Sequence, residues 1–221
     1  VARHVMSTII IRELTLEDFE QLKIFLRDRY VVDEPLWQRY PEGQRQNMAD
    51  PKKEEYRRNL IQQGTSLVAL EGERIVGVAL AGATYPSDVE QHRVDSEQLP
   101  NDTILGQVAR FLAHVEAEAN VLPRYNVAKA IYLNILGVDA TVRRQGLGRR
   151  LVAALIEVAR SRGFPLLVTT CTSLYSARVM SALGMECVHA QAYADYKDDA
   201  GSVVFQPQAP HTEASVMAMR L

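Results

Sequence analysis

The sequence contains few cysteines and no long apolar segment. Only two cysteines occur in 221 residues, Cys171 and Cys187, and their spacing fits neither a metal-ligand motif nor a disulfide framework. No apolar run approaches the ~20 residues that a transmembrane helix needs. Residues 1–8 lack the apolar core and the cleavage pattern of a signal peptide. We therefore expect no bound metal, no membrane association and a reducing, cytoplasmic location.

An excess of positive charge is also missing. The chain carries 25 Lys and Arg against 27 Asp and Glu, for a formal net charge of -2. Domains that bind nucleic acid normally show a basic excess or a basic stripe, so no nucleic-acid partner is expected. There is no internal repeat, low-complexity segment or linker. Residues 1–221 are therefore predicted to form a single domain.

Hydrophobic patterning predicts strands and helices in alternation. Strands are predicted at Thr8–Glu13, Ser66–Leu70, Ile75–Ala81, Ala130–Val138, Leu166–Cys171, Cys187–Tyr193 and Ser215–Met219. Helices are predicted after the cap Thr15 as far as the break at Pro35, from Asp50-Pro51 to Gly64, around Leu105–Val115, at Arg144–Arg162 and at Tyr175–Leu183. The polar segment Pro86–Pro100 is predicted to be a surface loop. This order of elements indicates an α/β fold around one sheet.

The most informative segment is the turn that follows the strand ending at Val138. It contains Gly146 and Gly148, and it carries the arginines Arg143, Arg144 and Arg149. The first turn of a helix offers unpaired N–H groups and the positive end of the helix dipole, which suit a pyrophosphate. Glycines allow such a ligand to approach the main chain. The alternative is an ordinary strand–turn–helix with a solvated basic face, and the segment matches neither a P-loop nor a dinucleotide-binding GxGxxG.

Residues 143–148 (RRQGLG) match the signature Arg/Gln-x-x-Gly-x-Gly/Ala and so resemble the GNAT acetyltransferases. Further segments are similar to the insect arylalkylamine N-acetyltransferases, namely 33–36 (DEPL), 173–180 (SLYSARVM), 194–197 (ADYK) and 209–211 (APH). The resemblance spans nearly the whole chain. It implies the GNAT fold, with a mixed central sheet flanked by helices. It also implies acetyl transfer from acetyl-CoA, as a co-substrate, to a primary amine in a ternary complex.

The resemblance also implies which residues bind the cofactor. In that family the strand before the turn contacts the pantetheine arm through its main chain, which here implies Leu136, Gly137 and Val138. The turn holds the pyrophosphate, which implies Arg144, Gln145, Gly146, Leu147, Gly148 and Arg149. Arg143 is expected to order this loop. Tyr175 is expected to contact the cofactor near its sulfur.

Catalytic residues follow from the same resemblance. It assigns the general base to Glu34, acting through ordered water, whereas an arbitrary glutamate would be an ordinary surface carboxylate. It implicates the hydroxyls of Thr172 and Ser176, although Thr172 departs from the serine usual there and could merely cap the next helix, as could Ser173. It implicates His211, which could otherwise be structural, and Tyr175 could simply pack. No histidine can be paired with Cys171 from the sequence, which argues against a covalent ping-pong mechanism.

The amines expected as acceptors are arylalkylamines such as dopamine, octopamine, tyramine, serotonin or tryptamine. Agmatine, polyamines and protein amino termini remain alternatives, as does a non-catalytic acyl-CoA sensor. Substrate choice is expected to depend on the segment Tyr30–Tyr40, on Pro86–Pro100 and on the strands near Tyr193. We expect a monomer or a weak homodimer, with a small-molecule amine as the partner.

Overall fold

The computed structural model describes residues 8–38, 40 and 51–221. Within these ranges seven strands form one mixed sheet in the order β1-β2-β3-β4-β5-β7-β6. The strands are β1 (Ile9–Glu13), β2 (Leu67–Glu71), β3 (Arg74–Thr84), β4 (Ala130–Val138), β5 (Leu166–Cys171), β6 (Glu186–Ala192) and β7 (Glu213–Arg220). The helices are α1 (Phe19–Phe25), α2 (Pro51–Gln62), α3 (Pro86–Gln98), α4 (Ile104–Ala119), α5 (Val121–Tyr125), α6 (Leu147–Ser161) and α7 (Leu174–Ala182). The expected mixed sheet flanked by helices is confirmed.

Each face of the sheet is covered by its own apolar cluster. On one face, α6 presents Leu147, Leu151 and Leu155 at a spacing of four residues, and they pack with the buried side chains Ile131 and Leu133 of β4. On the other face, α4 contributes to a cluster around Phe111, and α1 packs through Phe19 and Leu22. The sheet is therefore enclosed between two helical layers, and its strand ends are the places where a ligand can enter.

Strands β4 and β5 run parallel but are paired over only three residues each. Residues 131–133 pair with residues 167–169, although β4 continues to Val138. On its other side β4 stays paired with β3, where Leu133 pairs with Ala81 and Ile135 with Leu80, so that Asn134 is an extra, unpaired residue. Such a bulge bends its strand. Beyond Asn134, β4 leaves β5 and presents an unpaired main-chain edge to a gap in the sheet.

The first helix begins as predicted and changes its winding before it ends. The N–H of Thr15 donates to Asp18 Oδ2 at 2.9 Å, as in a capping box. After α1 the chain continues as a π-helical turn, Leu26–Tyr30, in which the N–H of Val31 donates to the carbonyl of Leu26 at 2.9 Å. The helical path therefore ends ahead of Pro35, and Pro35 begins a separate 3₁₀ turn, Pro35–Trp37.

The prediction of a loop at Pro86–Pro100 is wrong, because residues 86–98 form α3. Pro86 occupies the first turn, and the N–H of Tyr85 donates to Asp88 Oδ2 at 2.8 Å. Arg93 pairs with Glu90 at 2.7 Å and with Glu97 at 2.5 Å, at the helical spacings of three and four residues. The helix is polar, so it lacks the apolar periodicity on which the sequence prediction relied.

The remaining differences lie at the ends of elements. The helix predicted from Arg144 begins at Leu147, because Arg144 and Gly146 adopt the left-handed conformation, with φ of 66° and 70°. The predicted cap Asp50 lies outside the described residues. The short helix α5 was not predicted, since five residues are too few to show a period. Among the described residues, no helix has the length and apolar character needed to cross a membrane.

Candidate active site

The parting of β4 and β5 opens a cleft of about 680 Å³. Its walls are the end of β4, the turn before α6, the beginning of α7 and residues from the segment 29–38. It contains these residues predicted for the site: Glu34, Leu136, Gly137, Val138, Arg143, Arg144, Gly146, Leu147, Gly148, Arg149, Thr172, Tyr175, Ser176 and His211. Gln145, the remaining predicted residue, is not part of the cleft lining. One cavity thus brings together segments from both ends of the chain.

The turn before α6 is shaped to receive an anion. The first residues of α6, Leu147, Gly148 and Arg149, have no intrahelical acceptor for their N–H groups; the N–H of Arg150 is the first to donate, to Gly146 at 3.0 Å. A Cβ built on Gly148 would have Val138 Cγ2 as its nearest neighbour, at 3.8 Å. The protein itself therefore leaves room above Gly148. Unpaired N–H groups, the helix dipole and open space fit the pyrophosphate of a coenzyme A molecule.

The buried carboxylate of Asp139 stabilises the 3₁₀ turn Ala140–Val142, which leads into the turn before α6. Asp139 is 2% exposed and accepts hydrogen bonds from the N–H and the hydroxyl of Thr141, at 2.8 and 2.9 Å. Its second oxygen pairs with Arg29 at 3.4 Å and Arg74 at 3.3 Å. Hydrogen bonds and these cations lower the pKa of Asp139 despite its burial. Arg29 also lines the cleft, so it adds positive charge there that the sequence prediction missed.

Arg143 connects the turn to the segment that carries Glu34. Its Nη2 pairs with the carboxylate of Asp33, and its Nε donates to the carbonyl of Val138 at 3.2 Å. Both partners of the ion pair are about half exposed, so the pair contributes at most about 1 kcal/mol to stability. The two contacts of Arg143 link the end of β4 to residue 33, and both of these parts line the cleft.

Glu34 is buried at the edge of the cleft, with 7% of its surface exposed, so the alternative of an ordinary surface carboxylate is wrong. Its Oε1 accepts from the N–H of Leu36 at 3.4 Å and thereby caps the turn Pro35–Trp37. The hydroxyls of Thr172 and Tyr30 lie close enough to it to act as donors that favour its ionised form. Burial raises the pKa of Glu34, and the hydrogen bonds from Thr172, Leu36 and Tyr30 act against that rise. The site thus holds a partly desolvated carboxyl group beside an anion-binding turn.

The beginning of α7 is capped by Ser173, so Thr172 is not the cap. Ser173 Oγ accepts from the N–H of Ser176 at 3.1 Å, and Ser176 Oγ donates to the carbonyl of Ser173 at 2.9 Å. The carbonyl of Thr172 accepts from the hydroxyl of the buried Tyr193 at 2.5 Å. The hydrogen bond from Tyr193 therefore fixes the main chain at residue 172, and the Thr172 hydroxyl interacts with Glu34.

His211 belongs to the same helix terminus. Its Nδ1 accepts from the N–H of Leu174 at 3.2 Å, which requires that Nδ1 carry no proton. Burial lowers the pKa of His211 and so favours the neutral ring. The imidazole also contacts the Tyr175 ring edge-on, with centroids 5.4 Å apart, while 60% of Tyr175 stays exposed. His211 thus caps α7 and supports Tyr175, while it also lines the cleft in which the resemblance implicates it.

Cys171 is buried beneath these hydroxyls. Burial raises the pKa of its thiol to about 12, although a hydrogen bond with Ser176 acts in the opposite direction. Thiolate is the nucleophilic form, and almost none is present at neutral pH with such a pKa. The geometry therefore agrees with the sequence in giving Cys171 no nucleophilic role. Among the described residues, no three His, Cys, Asp or Glu side chains come together as a metal site requires.

Sequence reasoning did not single out several residues of the cleft, among them Tyr30, Gln38 and Asn134. Tyr30 and Gln38 were expected only as members of the segment Tyr30–Tyr40, on which substrate choice was predicted to depend. Asn134 could have been suspected as a single amide inside an apolar strand, the pattern that a bulge often produces. Gln38 accepts from the N–H of Gln208 at 3.0 Å and so ties the segment after Glu34 to the loop that carries His211.

Comparison with known proteins gives a consistent result. The sequence model described as the Acetyltransferase (GNAT) family matches residues 26–185. A mosquito arylalkylamine N-acetyltransferase-like 5b is 28% identical, with a TM-score of 0.85, covering 97% of this chain and 100% of that one. A Drosophila melanogaster polyamine N-acetyltransferase that forms N-acetylagmatine is 28% identical, with a TM-score of 0.86 and coverages of 97% and 100%. Arylalkylamine N-acetyltransferase 2 from Aedes aegypti is 26% identical, with a TM-score of 0.86 and coverages of 96% and 99%.

The cap formed by His211 gives a testable prediction. In His211→Asn the amide oxygen can take the place of Nδ1, whereas His211→Gln and His211→Ala offer no acceptor there. We expect the Asn variant to keep the unfolding free energy of the native chain and the other two to lose about 0.5–2 kcal/mol, the usual contribution of a helix cap. Urea unfolding at pH 7.5 measures this difference.

The pH dependence of the same experiment separates capping from other roles. Because the folded state disfavours the protonated ring, the contribution is present above the ordinary imidazole pKa of about 6.5 and is lost as the pH falls through the lowered folded value. His211→Asn should show a smaller loss between pH 7.5 and pH 5. Equal stabilities for the Asn, Gln and Ala variants would contradict the capping role.

Proposed function

The chain belongs to the GNAT acetyltransferase family, and from this premise we propose that it transfers the acetyl group of acetyl-CoA to the primary amine of an arylalkylamine. The observation that carries the proposal is the buried carboxyl group of Glu34 in the same cleft as an anion-binding turn. The similarity to two mosquito arylalkylamine N-acetyltransferases supports the aryl acceptor. The similarity to the polyamine enzyme that forms N-acetylagmatine supports agmatine as the second candidate.

In this proposal the cofactor lies along the gap between β4 and β5. The unpaired edge of residues 136–138 holds the pantetheine arm, and the N–H groups of Leu147, Gly148 and Arg149 hold the pyrophosphate. Arg29 and Arg144 add positive charge at the same place. Gln145 lies outside the cleft lining and has a lesser role than the resemblance implies. Bound acetyl-CoA supplies the thioester that the amine attacks.

Glu34 acts as the general base. An alkylammonium ion has a pKa of roughly 10, so the acceptor arrives protonated and must lose a proton before its lone pair can react. Glu34 receives that proton through an ordered water. Its partial desolvation makes the carboxylate a stronger base than one in water, since the raised pKa reflects a larger affinity for the proton. Direct transfer in a ternary complex needs no covalent enzyme intermediate.

The beginning of α7 stabilises the sulfur that departs. A thiol has a pKa of about 8.5, so its thiolate is a modest base that a hydrogen bond and the positive end of a helix dipole can stabilise. Ser176 lies in the first turn of α7 and is the proposed donor, once its hydroxyl rotates from the carbonyl of Ser173 to the sulfur, with Thr172 holding Glu34 beside it. Tyr175 contacts the cofactor, because its exposed ring is supported by His211 rather than buried. His211 contributes by keeping this helix terminus in place.

The experiment that tests the function is a thiol-release assay with acetyl-CoA and a panel of amines. The panel contains dopamine, octopamine, tyramine, serotonin and tryptamine, with agmatine, spermidine and a short peptide as alternatives. We expect the highest kcat/KM among the arylalkylamines. A preference for agmatine or spermidine would move the chain to the second candidate, and release of thiol with none of these amines would overturn the proposed activity.

The cofactor turn gives a prediction at Gly148. Because a Cβ there has no protein atom closer than 3.8 Å, Gly148→Ala and Gly148→Val should both fold, whereas substitution of Gly146 would add backbone strain at a positive φ. The valine should occupy the space above the N–H groups and weaken acetyl-CoA binding at least tenfold, about 1.4 kcal/mol, and alanine should weaken it less. Calorimetric titration measures the affinity, and the melting temperature without ligand is the control. Unchanged affinity in a folded Gly148→Val protein would refute the location of the pyrophosphate.

A second substitution tests the base. Glu34→Gln keeps an oxygen that can accept from the N–H of Leu36, so the local turn should survive. Loss of a general base lowers kcat by roughly 10²–10⁴-fold, and the loss should shrink at high pH, where more of the amine is already neutral. Acetyl-CoA affinity should hardly change. Near-native turnover of Glu34→Gln at pH 7 would remove Glu34 from the mechanism.

A further inference from the structure

Tyr30 stands where the first helix changes its winding. The hydrogen bond from the N–H of Val31 to the carbonyl of Leu26 spans five residues and closes the π turn Leu26–Tyr30. A π turn inserts one extra residue and so rotates the side chains that follow it; such turns occur frequently at functional sites. Here the turn ends on Tyr30, and Tyr30 is part of the cleft lining.

The ring of Tyr30 packs against β4 at Gly137, where the absence of a side chain leaves room for it. A Cβ built on Gly137 would be 3.0 Å from Phe25 Cε1 and 3.4 Å from Tyr30 Cδ2. The first distance is tighter than nine in ten real contacts, so a side chain at residue 137 would require the neighbouring ring to give by a few tenths of an ångström. Gly137, expected from the resemblance only as a contact for pantetheine, therefore also lets Tyr30 approach the strand that borders the cleft.

Tyr30 and Glu34 line the same cleft, and the Tyr30 hydroxyl lies close enough to the Glu34 carboxyl group to act as a donor that lowers its pKa. Burial, together with the negative charge of Glu34, raises the pKa of Tyr30 well above its usual value, so this hydroxyl stays protonated and can act only as a donor to a carboxylate. The carboxyl group of Glu34 thus has donors from three separate places: Tyr30 at the end of the first helix, Leu36 in its own turn and Thr172 after β5.

We propose that Tyr30 is a positioning residue for the general base: its hydroxyl fixes the direction of the Glu34 carboxylate in the cleft and stays bound to it through proton transfer. The inference rests on the role of Glu34 in the proposed function. In the transfer step the amine N–H bond breaks, its electron pair stays on nitrogen, and the proton reaches a Glu34 oxygen through water. Tyr30 keeps its own proton throughout.

Other groups that face this pair do not obscure the expected pH effect. Cys171 and Tyr193 interact with Glu34 from β5 and from the turn after β6, but burial raises the pKa of both, so both stay neutral below pH 9. Arg57 faces Tyr30 from α2 and stays positive over that range. Asp33 is paired with Arg143. His211 lines the same cleft and also titrates on the acid side, but it contributes equally to the profiles of the native chain and of the Tyr30 variants. A shift of the acid limb between them therefore reports Glu34, and the alkaline limb reports the substrate amine.

The test is the pH profile of kcat/KM for Tyr30→Phe, which keeps the ring on Gly137 and removes only the hydroxyl. With one donor fewer, the carboxylate is less stabilised and the pKa of Glu34 rises, so the acid limb should move to higher pH by about one unit. We expect a loss in kcat/KM that approaches tenfold at pH values below the acid limb of the native chain and diminishes as the pH rises, with unchanged acetyl-CoA affinity. Tyr85→Phe, the same change at an exposed tyrosine outside the cleft lining, is the control and should leave the profile unchanged.

A purely structural role would lower the whole profile without moving its limb, and that result would overturn the proposal. In a Glu34→Gln background, Tyr30→Phe should cause no further loss. If Glu34→Gln alone kept native turnover, the assignment of the base would fail; if it were inactive while Tyr30→Phe left the acid limb in place, only the role of Tyr30 would fail. Tyr30→3-fluorotyrosine, whose hydroxyl is a stronger donor, should move the acid limb to lower pH. This variant tests the same role of the hydroxyl if Tyr30→Phe folds poorly.

Discussion

The divergence of two parallel strands beyond Leu133 is the constraint on which the other features of the site depend. Main-chain N–H and C=O groups need hydrogen-bond partners, and the free edge of β4 finds none in β5. The sheet survives this gap because β3 pairs with β4 along its length and β7 pairs with β5. The edge is therefore rigid yet unsatisfied, and a ligand that lies along it completes the sheet's hydrogen bonding. The bulge at Asn134 marks the place where this opening begins.

The electrostatics of the cleft follow from the direction of two helices. Both α6 and α7 begin at its wall, so the positive ends of both helix dipoles and the unpaired N–H groups of α6 face the same space. The first terminus is stabilised by Asp139 through the 3₁₀ turn Ala140–Val142, and the second by Ser173 and His211, which themselves line the cleft. A negative ligand and a departing thiolate are favoured there. Glu34, the buried carboxyl group opposite, belongs to a separate segment.

The sequence predicted well what is encoded locally. Strands β4 and β5, the helix after RRQGLG and the cap region of α7 have apolar runs, glycines and hydroxyls at characteristic spacings. Three features escaped, the first because its helix is polar and the other two because they depend on other parts of the chain. The helix α3 is polar and carries ion pairs of Arg93 in place of an apolar stripe. Tyr30 reaches Glu34 because of a π turn and because Gly137 has no side chain to occupy the space of the ring. His211 caps a helix that begins 37 residues earlier in the chain. The periodicity of apolar residues carries no information on contacts between residues that are far apart in the sequence.

The ion pair between Arg143 and Asp33 joins the turn before α6 to the residue next to Glu34. Arg143 is also bound to the end of β4 through the carbonyl of Val138. A ligand that immobilises the turn therefore also restricts Asp33 and its neighbour Glu34. Part of the entropy cost of ordering the segment around Glu34 is then met before the amine binds. Thermodynamic linkage makes such an effect mutual, so an amine that stabilises the segment around Glu34 must strengthen the binding of coenzyme by the same free energy.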